Sequence, residues 1–69
     1  MHVEIIVNGS YLEVKKGVKH IKDLLEFLGL QDKPLIIEHN QQILQKERHK
    51  QAVLKDGDKI EIVHFVGGG

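Results

Sequence analysis

The first residues alternate between apolar and polar positions, as strands do in a sheet that is covered on one face. The alternation holds over residues 3–7 and resumes over residues 11–14. Between the two runs lies Asn8-Gly9, a pair that tolerates positive φ at both central positions of a type I′ turn. The sequence therefore predicts that the chain opens with a β-hairpin.

The next apolar positions have the spacing of an amphipathic helix. They lie three or four residues apart, and they are Val18, Ile21, Leu24, Leu25 and Leu28. Gly29 follows directly, where a residue in the left-handed conformation ends many helices. No Ser, Thr, Asp or Asn stands at the expected N-cap, so Gly17, Lys19 or His20 must cap a first turn placed between residues 18 and 21.

The second half of the chain alternates between short apolar and polar segments. A third strand is predicted over residues 35–39, followed by a turn at 40–42 and the short apolar piece Ile43-Leu44. The polar residues 45–51 predict a loop with one helical turn. A turn at residues 55–58, in which Gly57 takes positive φ, precedes a last strand over residues 59–66.

Strands on both sides of one helix predict an α+β fold, with a small mixed sheet and the helix packed across one face. This is the ubiquitin-like β-grasp arrangement, predicted for residues 1–66, with residues 67–69 as a flexible glycine tail. The core is expected to consist of the inward-facing apolar residues Ile5, Val7, Leu12, Val14, Ile21, Leu24, Leu25, Leu28, Ile37, Leu54, Ile60 and Ile62.

Composition excludes several classes of protein. Lys plus Arg number 10 and Asp plus Glu number 10, so the chain lacks the excess positive charge of a nucleic-acid or anionic-membrane binder. It has no Cys, which excludes disulfides, thiolate metal sites and a thiol nucleophile. No apolar run is long enough to span a membrane and the N-terminus does not resemble a signal peptide, so we expect a cytoplasmic protein.

His and Asp are the residues left for metal binding or acid–base chemistry. None of the five histidines has the spacing of a metal motif, so no metal site is predicted. Asp56 and Asp58 flank Gly57 and are expected to be turn residues. Ser10 lies in a tight hairpin turn without the motif of a serine nucleophile. The sequence therefore predicts no catalytic residue.

The final glycines are the one feature that folding does not require. Gly67, Gly68 and Gly69 directly follow the last predicted strand. Three extended residues reach roughly 10 Å, and without side chains they could pass through a narrow channel into a partner's active site. The partner could then modify the carboxylate of Gly69 chemically. On the glycines alone, ordinary terminal fraying explains the tail about as well.

A longer pattern surrounds these glycines. Residues 58–69 read Asp-Lys-Ile-Glu-Ile-Val-His-Phe-Val-Gly-Gly-Gly, with Asp23-Leu24-Leu25 in the helix and Asn8-Gly9 in the hairpin. In these features the chain resembles the ThiS-type sulfur carriers of thiamine biosynthesis over essentially its whole length. His20 stands where such carriers are expected to have a capping Thr.

This resemblance implies a carrier and not an enzyme, with no cofactor bound to the chain itself. A ThiF-type adenylating enzyme would use ATP and magnesium to join AMP to the carboxylate of Gly69. Sulfur from a donor such as a cysteine desulfurase would then replace AMP and leave a thiocarboxylate. A ThiG-type thiazole synthase would receive the sulfur, and Gly67 and Gly68 would thread the tail into the partner's active site.

Alternation in the last strand also predicts a partner-binding surface. If Ile60 and Ile62 face the helix, Val63 and Phe65 face away from it. The predicted surface consists of Ile6, Val63, Phe65 and Val66, although a bulge would let Phe65 tuck into the core instead.

Three alternative functions stay open on the sequence. The small subunit of molybdopterin synthase also ends in Gly-Gly and donates sulfur. A ubiquitin-like modifier would form isopeptide bonds to lysines instead of a free thiocarboxylate. A simple binding module would give the glycine tail no chemical role.

Overall fold

A computed structural model describes residues 3–64, and its chain begins with the predicted β-hairpin. Strands β1 (Glu4–Val7) and β2 (Ser10–Glu13) pair antiparallel, with Ile5 opposite Leu12. Asn8 and Gly9 join them, with φ of 49° and 85°. Both turn residues therefore have the positive φ that the Asn-Gly pair predicts.

Helix α1 (Ile21–Phe27) begins at the late end of the predicted range, with His20 as its N-cap residue. The carboxylate of Asp23, in the first turn, accepts the backbone N–H of His20 at 2.9 Å and that of Lys19 at 3.1 Å. An acidic residue inside the helix thus reaches back to the N-cap, as the third helical residue does in a capping box. This carboxylate supports the helix start although His20 replaces the usual capping residue.

The end of α1 has the geometry predicted for Gly29, whose φ is 75°. The N–H of Gly29 donates to the Glu26 carbonyl at 3.0 Å, and the N–H of Leu30 donates to the Leu25 carbonyl at 2.7 Å. These two bonds form a Schellman motif. The predicted core position of Leu28 is wrong: the helix ends one residue earlier, Leu28 is 36% exposed, and Leu30 packs against the core after the turn.

The middle of the chain contains a second hairpin. Strands β3 (Leu35–His39) and β4 (Gln42–Leu44) pair antiparallel around Asn40 and Gln41, which have φ of 52° and 72°. The turn and β3 match the prediction, whereas β4 was expected only as a short apolar piece. A 3₁₀ turn at Lys46–Arg48 follows and confirms the single helical turn of the polar segment.

The last strand, β5 (Lys59–His64), lies in the centre of the sheet. The strand order is β2-β1-β5-β3-β4, with β5 parallel to β1 and antiparallel to β3. Backbone pairing therefore fixes β5 from both sides, by β1 over its first residues and by β3 along most of its length. The mixed five-stranded sheet with one helix confirms the predicted architecture.

The core lies between α1 and one face of the sheet. Its buried apolar residues, all of them predicted, are Ile5, Ile21, Leu24, Leu25, Ile37, Leu54, Ile60 and Ile62. Three other predicted core residues, Val7, Leu12 and Val14, are half-buried and pack against this cluster. We call the sheet face that carries Ile5, Ile37, Ile60 and Ile62 the inner face, and the opposite one the outer face. Within residues 3–64, no helix combines the length and apolar character needed to cross a membrane.

Candidate functional site

The strand that leads to the C-terminal residues is held in place by the side chain of Asn8. Strand β1 ends at Val7, opposite Ile60 of β5. Beyond that point the Asn8 side-chain amide donates to the Ile62 carbonyl at 3.1 Å and accepts the Ile62 N–H at 2.7 Å. These two bonds satisfy the backbone N–H and C=O of Ile62, which a longer β1 would otherwise pair, so the Asn8 side chain extends the pairing of β5 past the end of β1. Sequence analysis identified Asn8 only as a turn residue.

Asp58 anchors the beginning of β5. It is the one polar residue among those described that is classed as buried, at 8% exposed. One carboxylate oxygen accepts the Lys55 N–H at 2.9 Å and lies 2.7 Å from Nε2 of His39. The other accepts an amide N–H of Asn40 at 3.1 Å. Asp58 therefore links the turn before β5 to the end of β3 and the turn that follows it.

The surroundings of Asp58 favour its charged form. Burial alone would raise the pKa of this carboxyl group, but the hydrogen bonds from His39, Asn40 and the Lys55 amide outweigh burial and hold the pKa below its ordinary value. Sequence analysis correctly placed Asp58 in a turn, but it did not identify these partners. No polar group with perturbed acidity lies in an apolar cleft here, so the arrangement is structural and does not resemble an acid–base pair.

Asn40 completes the link between the two turns. Its side-chain carbonyl accepts the N–H of Lys59 at 2.9 Å, and its own backbone N–H donates to the Lys59 carbonyl at 2.8 Å. Together, Asp58, Asn40 and Asn8 fix both the start and the middle of β5. These contacts, together with pairing to β3, therefore fix the course of β5 up to His64.

The outer face next to the end of β5 is partly apolar. Val63 is 54% exposed and lies opposite Ile36 of β3, which is 39% exposed. Ile6, on β1, is half-buried on the same face. The structure thus places Ile6 and Val63 where alternation predicts, whereas Phe65, Val66 and residues 67–69 lie outside the described part of the chain. Their role in binding stays a prediction.

Sequence analysis missed other members of the outer face. The exposed side chains of Ile36, Ile43 and Tyr11 belong to it, as the strand register requires. The signal available for Ile36 was the alternation within residues 35–39, which puts it on the side opposite Ile37. Glu38 and Glu61, both half-buried, occupy paired positions on β3 and β5 of this face. Like charges at paired positions repel each other, so this part of the face favours a cationic partner.

The described histidines are separate from one another. His39 contacts Asp58, Nδ1 of His20 lies 3.1 Å from the Asp23 carboxylate, and Nε2 of His49 lies 3.4 Å from the Leu44 carbonyl. Within residues 3–64, no group of three or more His, Asp or Glu side chains could hold a metal ion. The arrangement offers an anchored strand and a partly apolar face, and these features suit binding to another protein.

Residues 5–69 match the model of the ThiS family. The chain belongs to the ThiS family. It is 48% identical over 63 residues to the sulfur carrier protein ThiS of Bacillus subtilis, covering 91% of this chain and 96% of that protein. The resemblance inferred from the sequence is therefore confirmed.

Two other relatives of this ThiS-family chain bear on its fold and partners. A crystal structure of the thiamine biosynthesis protein ThiS from Geobacter metallireducens superimposes with a TM-score of 0.83 at 30% identity, covering 97% of this chain and 100% of that one. This match confirms the β-grasp fold. A thiazole synthase of Paramagnetospirillum magneticum is 33% identical over 67 residues, which cover 97% of this chain but only 20% of that protein.

Proposed function

We propose that this chain is a sulfur carrier of thiamine biosynthesis and that the carboxylate of Gly69 is the group that carries the sulfur. The observation that carries the proposal is the match to the ThiS family over residues 5–69, which includes all three final glycines. The near full-length similarity to the Bacillus subtilis carrier supports it. The chain would act as a co-substrate of partner enzymes in the cytoplasm and would not itself be a catalyst.

The chemistry required at Gly69 explains why a partner must activate it. A carboxylate is a poor acyl donor because its negative charge repels nucleophiles, whereas an acyl-adenylate has AMP as a good leaving group. A ThiF-type enzyme would supply ATP and magnesium and form that adenylate. Sulfur from a persulfide, formed by a donor such as a cysteine desulfurase, would displace AMP, and a thiol that breaks the remaining S–S bond would free the thiocarboxylate.

The absence of Cys from the chain suits this role. An activated acyl group at the terminus would be open to attack by a neighbouring thiolate. Since no position in the sequence carries a thiol, no side-chain thiolate of the carrier can attack its activated C-terminal acyl group. Gly67 and Gly68 would give the tail the narrow cross-section needed to enter a partner's active site.

A ThiG-type thiazole synthase is the proposed acceptor of the sulfur. The thiazole synthase of Paramagnetospirillum magneticum contains, within a longer chain, a stretch similar to almost all of this one. Joining a carrier-like segment to a synthase keeps its effective concentration near the active site high, which is useful when the two act in sequence.

The outer face is the proposed contact surface for the adenylating enzyme. Ile6 and Val63 would contribute together with Phe65 and Val66, and we add Ile36 to the proposed surface because it lies opposite Val63. A cationic side chain of the enzyme between Glu38 and Glu61 would relieve their mutual repulsion. Apolar contacts together with this charge pairing would place the enzyme beside the end of β5, five residues before Gly69 in the sequence.

The test is the intact mass of the carrier after incubation with a ThiF-type enzyme, ATP, magnesium and a sulfur donor. Exchange of sulfur for oxygen adds about 16 mass units, and capture by a thiol-selective reagent distinguishes it from oxidation of Met1, which adds nearly the same. A chain lacking Gly69 is the control and should gain neither mass nor reactivity. The proposal fails if the shortened chain still supports thiazole formation as well as the parent does.

The same reaction separates the alternatives. A protein modifier would yield isopeptide adducts to lysines, and a simple binding module would keep its function without Gly69. A carrier for molybdopterin synthesis would acquire the thiocarboxylate but would not pass its sulfur to thiazole synthase.

A further inference from the structure

A groove lies on the helix side of the molecule, between α1 and the segment around the 3₁₀ turn. Its volume is about 370 Å³, and its walls include Lys22, Gln31, Lys46, His49 and Lys50, with the buried side chain of Leu25 between them. A smaller recess of about 130 Å³ shares some of these residues and adds Lys33 and Leu35 to the lining. Because Leu35 belongs to the inner face, the recess and the groove beside it lie on the side of the sheet opposite to the outer face, where Val63 and Ile36 lie.

The groove is basic although the chain as a whole is neutral. Lys22, Lys46 and Lys50 line it together with a single acidic residue, Glu47, and Lys33 lines the adjoining recess. Within residues 3–64, none of these lysines forms an ion pair, since the ion pairs there are His20 with Asp23 and His39 with Asp58. Positive charge is thus concentrated in one place, which raises the local concentration of anionic groups.

Backbone hydrogen bonds hold the two walls of the groove together. The Lys22 N–H donates to the His49 carbonyl at 2.8 Å, and the Ile21 N–H donates to the Ala52 carbonyl at 3.0 Å. These N–H groups belong to the first turn of α1 and would otherwise lack partners. A groove built in this way exists before any ligand arrives, so little ordering of the backbone opposes binding.

We propose that this groove binds an acidic segment of a partner protein, with an apolar side chain seated on Leu25 and carboxylates paired with Lys22, Lys46 and Lys50. The lysines of the groove favour an acidic ligand, and the apolar side chain of Leu25 between them favours a peptide over a small anion. A free phosphate would leave Leu25 uncovered, and the N–H groups of Ile21 and Lys22 that could help to hold it are already bonded. This surface goes beyond the proposed function, since a protein bound here leaves the outer face free for a second partner.

The experiment uses the full chain, labelled with ¹⁵N, and a peptide made of three Asp-Glu-Leu repeats with blocked ends. Titration followed by NMR should shift the backbone amides of Lys22, Leu25, Gln31, Lys46, His49 and Lys50. A matched peptide of three Asn-Gln-Leu repeats and inorganic phosphate are the controls. Rising salt should weaken the acidic peptide's binding because exposed charges are screened.

Charge reversal then locates the site. K46E/K50E should weaken binding of the acidic peptide by about tenfold, and K46Q/K50Q should weaken it less. K15E/K16E changes the net charge equally at exposed positions away from the groove and should leave affinity unchanged. The proposal is overturned if the acidic peptide causes no localised shifts, if the neutral peptide or phosphate shifts the same amides as strongly, or if K15E/K16E weakens binding as much as K46E/K50E.

Discussion

Ile36 and Ile37 are neighbours in β3 but lie in different surroundings. Ile37 is fully buried on the inner face, opposite Ile62, whereas Ile36 is 39% exposed on the outer face, opposite Val63. Successive side chains of a strand point to opposite faces, so one pair of isoleucines contributes to the core and to the candidate docking surface. The two residues are equally hydrophobic, so the register of β3 against β5 decides which of them packs in the core and which lies on the candidate docking surface.

The largest expected effect comes from replacing both residues in the same way. Ile37→Ala should lower the free energy of unfolding by about 3 kcal/mol, because it removes buried methyl groups and leaves a cavity, whereas Ile36→Ala should cost less than about 1 kcal/mol. Urea denaturation followed by circular dichroism measures both. If Ile37→Ala leaves too little folded protein, Ile37→Val should cost about 1 kcal/mol. Equal losses at the two positions would contradict the assigned faces.

The next largest effect on the free energy of unfolding is expected at the buried polar residue Asp58. Asp58→Asn should lower the free energy of unfolding by about 2 kcal/mol at neutral pH, because the charged acceptor of three hydrogen bonds is lost. The pKa of Asp58 is lower in the folded chain, so its contribution is present above the ordinary value of 3.8 and is lost as the pH falls through the folded-state pKa.

The variant should therefore lose less stability on acidification than the parent does. Urea titrations at a series of pH values measure this difference. Identical pH dependence in the two proteins would mean that Asp58 does not contribute in the way its contacts suggest.

On the outer face, a charge should affect binding more than folding. Val63→Asp should change the free energy of unfolding by less than about 1 kcal/mol. It should weaken binding to the adenylating enzyme about tenfold, which corresponds to about 1.4 kcal/mol. Isothermal titration calorimetry measures the affinity. The control is Val53→Asp, since Val53 is similarly exposed, at 48%, and its backbone pairs with His20 away from the outer face. An unchanged affinity for Val63→Asp would exclude this face as the contact surface.

The local patterns of the sequence predicted most of the fold. Alternation and helical spacing correctly identified the buried residues because each pattern is contained within a few neighbouring positions. The predicted burial of Leu28 was wrong because it depended on where the helix ends. Capping by Asp23 and Gly29 fixes the two ends of α1 independently of the spacing of its apolar residues.

Features that depend on distant pairing could not be predicted. Asn8 contacts Ile62, which is 54 positions later, and Asp58 contacts His39 across 19 positions. Only the folded register brings these groups together. For the candidate site, alternation predicted the sides of Ile6 and Val63, whereas the role of Gly69 came from the family resemblance, since glycine has no side chain whose pattern could indicate chemistry.

The smallest effect is expected at Asp23, which accepts backbone N–H groups as Asp58 does but is less buried, with 34% of its side chain exposed. Hydrogen bonds from the Lys19 amide and from the His20 side chain and amide hold the pKa of Asp23 below its ordinary value. Its stabilising contribution is likewise present above 3.8 and lost as the pH falls through the folded-state pKa. Because water competes for these bonds at the surface, Asp23→Asn should destabilise the protein less than Asp58→Asn in the same urea titration. A larger loss at Asp23 would mean that the helix start, and not burial beside β5, determines how much an aspartate contributes here.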